Sequence, residues 1–149
     1  MDRDGWSHTE MVEACRLVLN AVQGTVTEYE TDVPLTAPDW PAEVVAAADV
    51  LRGVASRTGR VEKSGYAETG LVRMASDELW SAFVTFAPWA YSATASDDSG
   101  RVVSLADESQ SIVVYLDGPQ LEVLRQVIEP TRLVPEKEWR AVQKQRRKR

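Results

Sequence analysis

Histidine and cysteine each occur once in the 149-residue chain, as His8 and Cys15. One cysteine excludes an intramolecular disulfide and any zinc site built from several thiolates. Any Cys/His or Ser/His/Asp arrangement would have to use His8. On one helix His8 and Cys15 would sit about 10.5 Å apart along the axis, far beyond hydrogen-bond reach, so they form no dyad. Both have structural readings: a polar residue at a helix start and a small hydrophobe on an apolar stripe. No run of about 18 apolar residues occurs, and the opening "MDRDGWSHTE" carries acids where a signal peptide would carry its apolar segment. These absences lead us to expect a soluble, unsecreted, cytoplasmic protein. There is no phosphate loop, dinucleotide fingerprint or G-x-S-x-G elbow, no calcium-loop spacing and no His-rich tract, so no cofactor or metal is implied. Isoleucine (two) and asparagine (one) are scarce and arginine outnumbers lysine 13 to 4. That bias is expected of GC-rich coding, as in a high-GC bacterium or its phage.

What is present is globular: 44% hydrophobic and 27% charged residues, with five tryptophans. The length suits one domain. Charge is unevenly divided. Residues 137–149 hold seven basic side chains and one acid, a net +6, which leaves −12 on the other 136 residues of a chain whose total is −6. The organisation expected is a single acidic domain over 1–136 and a basic helix or tail over 137–149.

Ser7 followed by Glu10 is a capping-box pattern, and apolar residues at three- and four-residue spacing up to Gly24 predict a helix over 8–23. A short strand is expected near 25–31 before the prolines at 34, 38 and 41. Asp39 before Trp40-Pro41 opens a second helix over 41–57, stopping near Gly59. After the polar loop "RVEKSGYAETG", four strands are expected: "LVRMA", "ELWSAFVTFAPWAYSATAS", "RVVSLA" and "SIVVYL". In the second, Trp80, Ala82, Val84 and Phe86 alternate with period two. Asp117, Pro119 and Gln120 start a third helix that Pro130 stops, and a last helix starts at Pro135. The reading is an α+β two-layer sandwich, a four-stranded antiparallel meander under amphipathic helices, in the order αα-ββββ-αα.

Two features suggest partner binding. Trp89 and Tyr91 end an aromatic strand segment, where an exposed patch would suit an interface. Arg140, Lys144, Arg146, Arg147, Lys148 and Arg149 give the tail a basic surface able to contact an acidic protein, possessed by this chain or another, or to track phosphates. A membrane role is disfavoured because no acylation or prenylation pattern accompanies the cluster. Glu28 and Glu30 would project from one side of a strand about 7 Å apart. The leading expectation is a non-catalytic protein-interaction module, inhibitor- or immunity-like or an assembly adaptor, binding through its acidic body and aromatic strand. The alternatives are nucleic-acid association through the tail and, third, an enzyme using carboxylates.

Overall fold

Local caps set the helix starts. In the computed structural model, which describes residues 6–36, 39–58, 65–129 and 133–146, α1 runs His8–Val22. The Glu10 N–H donates to Ser7 Oγ at 3.2 Å and the Ser7 N–H donates to Glu10 Oε2 at 2.8 Å, the reciprocal pair of a capping box. A second capping box, Asp117 with Gln120, opens α4, Gly118–Val127, with bonds of 2.8 and 3.0 Å. α2 spans Ala42–Thr58 and buries the stripe Val44, Ala47, Ala48, Leu51, Val54 and Ala55. The last helix, α5, spans Glu136–Arg146, starting one residue after Pro135. The expected stops at Gly59 and Pro130 lie outside the described residues, as does Pro38.

The strand predicted over residues 78–96 is corrected. Its first half is a helix, α3 (Asp77–Phe86), followed by a 3-10 turn (Ala87–Trp89) and then β4, Ser92–Asp97. α3 buries Trp80, Ala82, Phe83, Val84 and Phe86 and leaves Asp77, Glu78 and Ser81 exposed. Over residues 80–86 the even-numbered apolar positions satisfy a period of two, whereas exposed Glu78 and Ser81 and half-buried Thr85 mark the polar stripe of a 3.6-residue period. Its start decides the matter: Ser76 Oγ accepts from the Leu79 N–H, and Asp77 and Glu78 sit in the first turn, where the helix dipole favours acids. Pro88 lies in the first turn of the 3-10 segment, where its missing N–H costs no bond.

Among the described residues the remaining strands are β1 (Glu28–Pro34), β2 (Tyr66–Glu68), β3 (Val72–Arg73), β5 (Gly100–Ala106) and β6 (Ser111–Val114). They form one antiparallel sheet in the order β2-β1-β4-β5-β6, with β3 also on β1. The α+β class stands, but the expected order αα-ββββ-αα and the strand count do not. Among the described residues six strands occur, against the four-stranded meander and one short early strand expected; β2 arises within the segment read as a loop, and only β4-β5-β6 make a meander. The early strand β1 runs to Pro34 and sits inside the sheet, flanked by β4 on one side and β2 and β3 on the other.

The register divides the sheet cleanly. Tyr29 and Thr31 stand opposite Ala95 and Ala93, which stand opposite Val103 and Leu105, which stand opposite Val114 and Ile112. This face meets α1, α2 and α3 and forms the core, with Leu19, Leu51, Phe83 and Phe86 fully buried. A bulge between Ala95 and Ser96 leaves Val102 as the extra residue on β5, so neighbouring Val102 and Val103 are both buried. Tyr29 joins sheet to helix through Trp80 and Phe83, with ring centroids 5.4 and 4.5 Å away. The opposite face carries Glu28, Glu30, Asp32, Ser92, Thr94, Ser96 and Ser104, none of them buried.

Candidate functional site

The open face draws its chemistry from β1. Alternation along a strand sends every second side chain to the same side, so burying Tyr29, Thr31 and Val33 places Glu28, Glu30 and Asp32 together on the other. β2 adds a fourth acid, because Asp32 pairs directly with Glu68 across the ladder. Basic groups lie at the margin, where Arg73 pairs with Glu28 and Arg101 with Ser96. The acidic ground is therefore the β1–β2 half of the face. There Glu30, Thr31, Asp32, Tyr66, Glu68, Gly70 and Ser92 line an open hollow of about 260 Å³.

The floor of the hollow is fixed by backbone satisfaction. β2 and β3 pair with the two ends of β1 and leave its middle without a strand on that side. Thr69 fills the gap: its backbone N–H donates to Thr31 O at 3.0 Å, and its hydroxyl accepts from the Thr31 N–H at 3.0 Å. Both threonines are buried. On the other side, Thr94 Oγ1 donates to Glu30 Oε1 at 3.4 Å and the Tyr91 N–H donates to Asp32 Oδ1 at 3.0 Å.

Burial pushes the Asp32 carboxyl above its ordinary pKa and the adjacent Glu68 charge pushes the same way, against backbone N–H groups of Ser92 and Tyr91 that favour the ionised form. A raised carboxyl pKa means the fold prefers the neutral form. Ionised Asp32 thus costs stability above its folded pKa and nothing well below the unfolded value of about 3.9. Asp32→Asn keeps an acceptor for the Tyr91 N–H while removing the charge. It is expected to raise Tm at pH 7, with the gain fading to nothing by about pH 3. Thermal melts of both proteins across that range check it; an Asn variant less stable at pH 7 would mean that the carboxylate is a net asset to the fold.

The structure separates the residues singled out in the sequence. Tyr91 is exposed, and its backbone N–H is bonded to Asp32. Trp89 does not share a strand with it. It belongs to the 3-10 turn and is half-buried, its ring edge-on to His8 at 4.6 Å, so the aromatic strand expected as a partner surface is absent. Arg140 and Lys144 are exposed on α5 and Arg146 is the last residue of that helix, while Arg147, Lys148 and Arg149 lie outside the described residues. Cys15 is fully buried, and burial pushes its thiol up to about 11 despite hydrogen bonding to Ser109 and the nearby Arg16 charge. That keeps it a thiol, the unreactive form. Glu28 and Glu30 share one side of a strand, as their spacing implies. Asp32 and Glu68 were not legible as site residues, because Pro34 argued for an earlier strand end and Glu68 lay within an apparent loop.

Among the described residues, no group of three or more His, Cys, Asp or Glu side chains is placed to hold a metal ion, and no helix is long and apolar enough to cross a membrane. No protein-family model matches the chain, and neither a curated protein nor a solved structure matches it significantly.

Proposed function

We propose that the chain is a non-catalytic protein-interaction module, of the inhibitor, immunity or assembly-adaptor kind, that receives a basic protein surface on the open acidic face of its sheet. A solvated face is ordinary for an antiparallel sheet. Its composition is the observation that carries the reading: three successive outward positions of an interior strand are acidic, and Asp32 lies directly across from Glu68. Like charges in directly opposed positions destabilise a sheet, and Asp32 bears a desolvation cost besides. A partner bringing cations would offset both. Tyr66, which lines the hollow, supplies the kind of side chain enriched at protein interfaces.

Affinity capture with the chain as bait, followed by cross-linking, tests this. A stoichiometric basic partner cross-linked near β1 and β2 is expected, and Glu30→Lys should weaken its binding about tenfold, roughly 1.4 kcal/mol. Recovery of no stoichiometric partner, or a partner indifferent to this reversal, argues against the reading.

A further inference from the structure

We infer that the basic helix α5 of one copy docks on the acidic open face of a second copy, and reciprocally, so that two chains close into a two-fold dimer. The inference rests on the reading of that face as a protein-binding surface and names one occupant for it.

No residue named on either half of the contact is buried. On α5, Lys137, Glu138, Trp139, Arg140, Ala141, Lys144 and Gln145 are all exposed. The stretch from residue 137 onward carries +6 against −12 on the remainder, so the strongest cation cluster that this chain can offer its own acidic face is the one it already contains.

The geometry of the charges matches as well. Lys137, Arg140 and Lys144 follow three- and four-residue spacing and form one stripe about 10.5 Å long. Glu28, Glu30 and Asp32 recur at every second residue of β1 and span about 13 Å. A helix about 10–12 Å across fits on a face whose five side-by-side strands extend roughly 20 Å. The competing ion pair within α5, Arg140 with Glu136, lies at i,i+4 spacing at the surface, where water screens it. It yields readily to a carboxylate on a partner. Arg73, across from Glu28, and Arg101, across from Ser96, bias the helix toward the Glu30–Asp32 end of the row. Because each copy owns one helix and one face, reciprocal docking satisfies both and closes the assembly at two, as an isologous contact requires.

The test is light scattering coupled to size exclusion on the full chain at about 50 mM and about 500 mM salt, a range that shortens the Debye length from more than 10 Å to under 5 Å. At low salt the full chain is expected at twice its 16.6 kDa, and at high salt at its monomer mass. Two charge-reversed proteins complete it: Glu28→Lys with Glu30→Lys on the face, and Lys137→Glu, Arg140→Glu and Lys144→Glu on the helix. Each alone is expected to be monomeric. Mixed one to one they should dimerise, since every contact then pairs opposite charges again; such rescue also shows that both variants are folded. A full chain that is monomeric at low salt, a dimer that survives the helix reversals, or a mixture without rescue would each overturn the inference. A monomer that instead shifts random duplex DNA in a salt-dependent manner would reassign α5 to phosphate contact. The chain truncated after Pro135 separates this inference from the function proposed above. It should still capture a basic partner if only the dimer is wrong, and should capture none if the face is not a binding surface.

Discussion

Replacing Phe83 with alanine should destabilise the protein by about 3–5 kcal/mol and lower Tm by roughly 10 °C. Phe83 is fully buried in α3 and lies against two rings, Tyr29 of the sheet at 4.5 Å and Trp80 of its own helix at 5.3 Å. Deleting the ring removes its transfer free energy and opens a cavity between the helical layer and β1 that neighbouring aromatic groups cannot collapse to fill. The substitution also separates two architectures. Were residues 78–96 one strand with Trp80, Ala82, Val84 and Phe86 inward, Phe83 would face outward and its loss would cost under about 1 kcal/mol. Urea or thermal unfolding of the single variant therefore tests the helix assignment directly.

Thr69→Ala is expected to cost about 1–3 kcal/mol, a large effect for the loss of one small polar side chain. Its hydroxyl is the partner of the Thr31 N–H at a point where β1 has no neighbouring strand on that side, and Thr31 itself is only 4% exposed. Removing the hydroxyl leaves a buried donor unpaired, so the cost is a desolvation penalty rather than the modest net worth of one bond. Thr69→Ser keeps the acceptor and should recover most of the loss. The same hydroxyl holds the floor of the acidic hollow, which Thr31 and Gly70 line. Hydrogen exchange at the Thr31 amide, slow in the native protein and in the serine variant and fast in the alanine variant, reads the effect at its source. If alanine and serine behave alike, the bond contributes nothing.

The parts of this fold legible in the sequence are those governed by neighbours within four residues. Ser7 with Glu10 and Asp117 with Gln120 announce helix starts because a cap is a local hydrogen-bond exchange, and the α2 stripe announces a buried face because its periodicity is set by the helix itself. Ser76-Asp77-Glu78 carries an equally local signal for α3, and Glu78, Ser81 and Thr85 mark its polar stripe; the alternation of Trp80, Ala82, Val84 and Phe86 masks both. The pairing of β1 with β4 is of another kind. Nothing near Glu28 specifies that it will lie opposite Ser96, and the placement of Asp32 against Glu68 depends on two segments whose local patterns favour a turn. Half of the acidic site, Glu28 and Glu30, was accordingly visible from strand spacing, whereas the other half exists only through tertiary pairing.

The interior position of β1 has a consequence for how the chain is made. Its ladder with β4 joins residues such as Glu28 and Ser96, so at about 5–20 residues per second a ribosome takes several seconds or more to supply the partner strand. Throughout that interval β1 is a half-apolar segment whose β4-facing edge is unpaired, and until β2 and β3 are made its other edge is open too, the condition under which nascent strands stick to one another. Glu28, Glu30 and Asp32, interleaved with Tyr29, Thr31 and Val33, give every such strand three negative charges on one side, and two copies stacked in register repel. The acids that unsettle the finished sheet thus act as gatekeepers during synthesis. Neutralising all three should lower the soluble yield of newly made protein even where the folded product becomes more stable.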